Sequence, residues 1–396
     1  MTTKELREMH GEASDEEKLY KATSVALLNK KLANYESSQD DSVLATLLIL
    51  CLFHVCDSGF TKFNAQLAGV QKLLSLRDRN VQSDFVGWIE TFFTWFDVMT
   101  AAVNDREVEV RCDSLDMMNL NANLGALEHY SGCEGRLFKL IARLGRLNLL
   151  SQNLPVHDGD DTRTLPSQPE EEKDLCLFRN NSRDGNDWAK IILEYQNPFS
   201  STCEDERSVF WTEWIDIRIR LQEWTFPSPS ELRTSACEVT SLPATSPSQT
   251  ALLHISESFR YAALLYTERL AYPTLSAGAF SFQNLVHQGL YHISQIGITS
   301  CVNKFLLWPL FVIGTECVDL EHRAVVRQRC VEIQRESGFF NNLSSLEILE
   351  RVWHEESDCL DSDIQFPGHN RPVTMMQSRL RWRRAMHRID GEYIVI

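Results

Sequence analysis

The chain has 396 residues, enough for one large or two ordinary domains, and its 43% hydrophobic and 24% charged residues exclude a chain disordered throughout. With 39 basic against 55 acidic side chains the net charge is -16, a surface that repels a polyanion unless its basic residues are segregated, so composition argues against this chain gripping DNA alone. Eleven cysteines, an odd and scattered set with no Cys-x-x-Cys pair, exclude the disulfide framework of a small secreted domain. Cys51, Cys317 and Cys330 sit in apolar surroundings, where a thiol acts as a small hydrophobe. The first residues are polar and hold no signal-peptide core, so an intracellular compartment is expected.

Residues 1–16 are polar and expected to be disordered. From Glu17 to Tyr35 the apolar positions predict a weak amphipathic helix. Asp40-Asp41-Ser42 then caps a stronger one, Val43 to Cys56, apolar on every side and expected to be buried on most faces. Phe60, Phe63, Leu67, Val70 and Leu74 recur at spacings of 3, 4, 3 and 4, a helical stripe. Ser83-Asp84 caps a segment with Phe85, Trp88, Ile89, Phe92, Phe93, Phe96 and Met99 on one broad face. Short links between these helices predict antiparallel packing. A helix from Gly135 to Leu149 should bury Leu137, Ile141 and Leu144 and expose Arg136, Lys139, Arg143 and Arg146.

Residues 152–185, with three prolines and two acidic runs, read as a long surface loop. Helix returns from Val209 to Trp224 on Phe210, Trp214, Ile217, Leu221 and Trp224, and a second loop, rich in Ser, Thr and Pro, covers 227–248. Leu252, Ile255, Phe259, Ala263 and Tyr266 form the next stripe, ended by Tyr272-Pro273. Phe282 to Ile293 forms another. Phe305 to Cys317 is the longest apolar run of the C-terminal half; at about 13 residues it is too short to cross a bilayer and reads as a central buried helix. His322 to Glu336 follows, with Val325, Val326, Cys330 and Ile333 inside and Ser337-Gly338 as its cap. Leu346 to Trp353 makes one more helix, and the chain closes around Leu380, Trp382 and Met386. The alternating Tyr393 to Ile396 is the one strand-like stretch. The fold class is all-α: a large multi-helix bundle, residues 17–396, with two long irregular loops.

Leu306-Leu307-Trp308-Pro309-Leu310-Phe311-Val312-Ile313-Gly314-Thr315-Glu316, then His322-Arg323, Gly338-Phe339 and Leu346 to Trp353, resembles the fungal-specific transcription factor domain, the helical region that lies C-terminal to a Zn2Cys6 zinc cluster. Val43 to Cys56, Gln66 to Leu74 and Trp382-Arg383-Arg384-Ala385-Met386 are similar to other blocks of that family. The resemblance implies a fungal regulator of transcription in the nucleus, acting through protein partners, with a zinc-cluster relative among the candidates. It implies no enzyme and no membrane. The cluster itself needs six cysteines beginning Cys-x2-Cys-x6-Cys, which this sequence lacks. DNA would then be reached only indirectly or through an N-terminal module that is missing here. A helical scaffold or adaptor sharing the fold, or a lipid- or metabolite-binding protein, is the alternative.

Catalytic patterns are absent from the sequence: no Gly-x-Gly-x-x-Gly, no phosphate loop, no Gly-x-Ser-x-Gly and no His-Glu-x-x-His. No cofactor or metal site is expected: His287 and His292, five apart, share no helix face, and Asp358, Asp361 and Asp363 read as an exposed acidic turn. Arg379, Arg381, Arg383, Arg384 and Arg388 form the one basic cluster, either a contact for phosphate or an acidic segment, or the solvated face of the last helix. Pro309 beside bulky aromatics, where a bend would leave space that packing cannot close, makes Phe92, Phe96, Phe305, Trp308 and Phe311 the candidate walls of a pocket for a small apolar effector, as some relatives of the resembled family are thought to hold; a simply well-packed core is the alternative.

Overall fold

Asp40 shows how closely the sequence signals set the first elements. Its Oδ1 accepts the Ser42 backbone N–H at 3.0 Å, and its other oxygen takes Lys31 Nζ at 2.9 Å. These bonds, the Ser42 one foremost, hold the carboxyl down at about 2. This computed structural model describes residues 15–56, 60–76, 84–106, 108, 133–152, 203–227, 249–362, 380–387 and 395, and every regular element among them is helical. The loops at 152–185 and 227–248, most of the N-terminal tail and the closing strand-like stretch lie outside these residues, Gln152, Pro227 and Val395 excepted.

Helix α1 (Asp15–Leu32) and the single turn α2 (Tyr35–Ser38) lead into α3 (Asp41–Cys56). Val43, Leu44, Leu47, Leu48, Cys51 and Val55 of α3 are buried as expected, while Ile49 on the far side is 65% exposed. Helix α3 packs on α4 (Phe60–Leu76) and on α5 (Asp84–Val103). The α4 stripe faces inward through Phe63, Leu67 and Val70, with Leu74 half-buried, and α5 buries Phe93, Phe96 and Met99.

The expected single helix over Gly135–Leu149 is two helices, α6 (Gly135–Ala142) and α7 (Leu144–Gln152), hinged at Arg143. Arg143 is no free surface charge: its Nε meets Glu213 at 2.8 Å and its NH1 meets Asp216 at 2.6 Å, tying the hinge to α8 (Cys203–Glu223). Phe210, Trp214, Ile217, Leu221 and Trp224 are all buried, so the α8 stripe stands as read.

Helix α9 (Gln249–Ala271) is the centre of the bundle, touching α6, α7, α8, α10 (Phe280–Ser294) and α11 (Leu307–Thr315). The proline-bearing segment is therefore the second hub. It is also shorter than expected, because Asn303–Phe305 forms a separate 3-10 turn and the α-helix starts at Leu307. Pro309 supplies the reason. Its ring would collide with the Phe305 carbonyl in a continuous helix, and it has no N–H to give that carbonyl. The helix starts where proline becomes harmless, in the first turn, so the segment needs no bend. All nine residues of α11 are buried.

Helix α12 (Leu320–Ser337) ends at Gly338, which takes a left-handed φ of 74° and donates its N–H to Gln334 O at 2.8 Å, the glycine cap read from the sequence. Val326, Cys330 and Ile333 are buried; Val325 is 41% exposed, because it stands one position off the 3.6-residue stripe those three define. Helices α13 (Asn341–Ser362) and α14 (Arg381–His387) complete the described chain, and α14 buries Trp382, Ala385 and Met386.

Candidate functional site

The aromatic residues proposed as pocket walls fall into separate groups. Phe92 and Phe96 meet edge to face at 5.0 Å, Trp95 lies 5.4 Å from Phe96, and Phe305 closes on Trp95 at 5.7 Å. Trp308 instead stacks flat on Phe259 of α9 at 5.6 Å, and Phe311 meets Trp382 of α14 at 5.7 Å. Phe92 and Phe305 are half-buried, whereas Phe96, Trp308 and Phe311 are fully buried. Two of these groups carry a chemical irregularity. The indole N–H groups of Trp95 and Trp308 are buried with no hydrogen-bond acceptor among the described residues, a costly state for a polar group.

Other indoles of the core are satisfied, and they show what α11 does. A helix leaves its last four carbonyls without partners inside the helix. Here side chains from neighbouring helices supply them: Trp353 Nε1 of α13 donates to Gly314 O at 2.8 Å and Arg381 NH1 of α14 to Thr315 O at 2.6 Å. Just beyond, Gln283 Nε2 of α10 donates to Glu316 O at 2.8 Å and Arg323 Nε of α12 to Cys317 O at 2.9 Å. The end of α5 is held the same way, by Tyr266 OH on Ala102 O at 2.7 Å and Trp382 Nε1 on Val103 O at 3.3 Å. Polar side chains thus fix the angles at which these helices meet.

Charges are buried at the same junctions. Arg269 grips Glu316 with two bonds, Nε to Oε1 at 2.9 Å and NH2 to Oε2 at 2.5 Å, with both side chains about 2% exposed. Its NH1 also donates to Leu275 O at 2.6 Å, and its guanidinium lies 4.1 Å above the Phe282 ring. Arg218 pairs with Glu268, whose carboxyl burial pushes its pKa up against the pull of that arginine. Glu134 is fully buried; it caps α6 through Leu137 N–H at 3.2 Å and accepts Trp224 Nε1 at 2.8 Å. Sequence patterning missed these carboxylates and arginines. The available signal was a charge at the end of an apolar stripe, as in Glu268-Arg269 after Tyr266 and Glu316 after Val312 to Thr315.

The basic cluster of the C-terminal helix is a correction to its solvated reading. Arg383 is 6% exposed and binds Asp105 Oδ2 at 2.6 Å, while Arg381 is half-buried on Thr315 O and lies 3.7 Å from Glu316. The reason is the position of α14: it lies against the ends of α5 and α11, where carbonyls and carboxylates are presented. Arg379, Arg388 and Asp363 lie outside the described residues, as do the side chains of Asp358 and Asp361.

His292 meets His254 rather than His287, with the two Nδ1 atoms 3.0 Å apart and Tyr261 stacked on the His292 ring at 5.6 Å. Burial, then His254 and Arg260, lowers the His292 pKa to about 4. Burial raises the thiols of Cys51 and Cys330 to about 12 and that of Cys317 further, in keeping with their reading as small hydrophobes. Among the described residues no three His, Cys, Asp or Glu side chains gather as metal ligands would, and no helix is long and apolar enough to cross a membrane.

Comparison with curated proteins finds no match, and neither does comparison with solved structures. Comparison with protein families matches residues 3–396 to the family described as the fungal specific transcription factor domain. With that match running over nearly its whole length, and with an all-α bundle beneath it, the chain belongs to the fungal specific transcription factor domain family, whose members regulate transcription.

Proposed function

We propose that this chain is a non-enzymatic nuclear regulator that works through protein contacts made by its helical domain, with DNA reached through a zinc-cluster relative or a module outside these 396 residues. The observation that carries the reading is the family match over residues 3–396. Two features support it. The net charge of -16 opposes direct duplex binding, and four buried charged groups, Arg269 with Glu316 and Arg218 with Glu268, are spent on each other. Tagging the chain in a fungal cell and mapping its chromatin occupancy tests the reading. Nuclear accumulation with promoter occupancy that depends on a partner is expected. Cytoplasmic residence, or salt-resistant binding of the purified chain to one duplex, would overturn it.

A second reading has its own support. A small apolar effector with a hydrogen-bond acceptor would satisfy Trp95 Nε1 while lying against the group that Trp95 shares, Phe92, Phe96 and Phe305. Saturable change in tryptophan emission on adding a fatty acid or sterol ester, lost in Trp95→Phe, is the expected result. Emission that stays flat across such ligands removes this reading and leaves the first intact.

A further inference from the structure

Helix α1 turns its apolar side away from the bundle. Its hold on the body is narrow and largely polar: Leu28 is its one buried residue among those described, and Lys21 Nζ lies 3.6 Å over the Phe53 ring of α3. Lys31 Nζ reaches Asp40 at 2.9 Å and Ser42 at 2.6 Å. The opposite face is more apolar yet open to solvent, with Leu19 65%, Tyr20 64% and Leu27 60% exposed, and a face of that kind marks an interaction surface. Glu16, Leu19, Tyr20, Thr23, Ala26, Leu27 and Lys30 make it up, all exposed, at successive spacings of 3, 1, 3, 3, 1 and 3 that read the same in both directions. We propose that this face pairs antiparallel with the same face of a second copy of the chain.

Self-complementarity selects the occupant. A two-fold axis through Thr23 sets Leu19 of one copy against Leu27 of the other, Tyr20 against Ala26 and Glu16 against Lys30, and each contact occurs twice. Leucine meets leucine, the small Ala26 leaves room for the Tyr20 ring, and the acidic end meets the basic end at both extremities, about 21 Å apart along the helix. The Tyr20 hydroxyl donates to Glu16 Oε1 at 3.3 Å, which keeps that carboxylate on the pairing face. Antiparallel helices also oppose their dipoles favourably. A parallel pair would instead set Glu16 against Glu16 and Lys30 against Lys30, like charge on like. A lipid surface fits less well, because anionic headgroups repel a chain of net charge -16. One helix pair covers less area than a standard interface, so the dimer is a weak one, with a Kd of about 1–100 μM. The pairing goes beyond the regulatory reading and stands without it.

Sedimentation equilibrium of the purified full chain, from about 1 to 200 μM, tests the pairing and should show a monomer–dimer equilibrium. Leu27→Glu, at an exposed position, should leave the melting temperature unchanged and raise the Kd by about tenfold or more, because the symmetric dimer holds two Leu19–Leu27 contacts. Glu16→Lys or Lys30→Glu alone should raise it by about fivefold or more, since either brings like charges together at both ends. Glu16→Lys and Lys30→Glu in one chain should restore the original Kd. That rescue belongs to the antiparallel register, because a parallel pair would be indifferent to all three changes. A chain that stays monomeric to about 200 μM, a dimer untouched by Leu27→Glu, single charge reversals without effect, or a double reversal that restores nothing would overturn the proposal. So would a monomer that floats with vesicles of phosphatidylcholine and phosphatidylserine, which gives the face to a lipid surface.

Discussion

Two tryptophans packed around the same helix differ in one respect that a stability measurement can isolate. Trp308 and Trp353 are each 1% exposed, but Trp353 Nε1 donates to Gly314 O at 2.8 Å whereas Trp308 Nε1 has no acceptor among the described residues. Changing either to phenylalanine removes the same atoms and keeps an aromatic ring, beneath Arg323 and Arg327 at Trp353 and on Phe259 at Trp308, so the transfer and cavity contributions largely cancel in the comparison. What remains is the hydrogen bond. Trp353→Phe gives up a made bond, worth about 0.5–1.5 kcal/mol net, and Trp308→Phe removes an unmade one whose burial costs about 1–3 kcal/mol. Trp308→Phe should therefore be less destabilising than Trp353→Phe by about 1.5–4.5 kcal/mol. Complete removal of the ring is a different matter: Trp308→Ala also breaks the stack on Phe259 and should cost about 3–5 kcal/mol. Urea unfolding followed by far-UV circular dichroism gives each value from the midpoint and slope. Equal losses in the two phenylalanine variants, or a larger one at Trp308, would show that its N–H is paired and that the orphan donor has no energetic meaning.

Arg269→Met or Glu316→Leu alone should destabilise by about 3–5 kcal/mol, since each leaves a buried charge without its partner, and the double variant should cost less than the sum, as a double-mutant cycle in urea will read. His292 has a folded pKa of about 4 against an ordinary 6.5, so between those values the unfolded chain holds a proton that the folded chain rejects. Stability gained from this group is complete above about 6.5 and declines as pH falls toward 4; the melting temperature of the native chain should drop more steeply across that window than that of His292→Gln, with the charged neighbours Glu257 and Arg260 unchanged. Gly145 allows α7 to approach Arg106, whose carbonyl would lie 2.6 Å from an added Cβ; Gly145→Ala should cost about 1–3 kcal/mol, while Gly69→Ala, in open space on α4, should be stabilising by about 0.5–1 kcal/mol in the same thermal assay.

The sequence by itself determined which segments are helices and which faces they bury. Phe210 to Trp224 and Leu252 to Tyr266 point inward at the spacing read from them, and Gly338 and Asp40 end and begin helices where a glycine and an aspartate should. These signals are local: periodicity, capping and left-handed φ depend on residues within a few positions of one another. The family resemblance was legible for a related reason, since the tryptophan–proline segment is a short contiguous run. What only the tertiary structure decided is which element sits at the centre and where the polar groups go. The most apolar run in the C-terminal half reads as the central helix, yet α9, a helix of ordinary composition, touches more of the bundle. Hydrophobicity marks a segment as buried without saying how many neighbours share it. The aromatic residues gathered into one imagined pocket separate because Trp308 and Phe311 leave α11 on different sides, toward α9 and α14. The buried ion pair Arg269–Glu316 joins residues 47 positions apart, and Arg383–Asp105 joins residues 278 apart. A charge looks solvated until the chain brings its partner to it, and that pairing is a property of the fold.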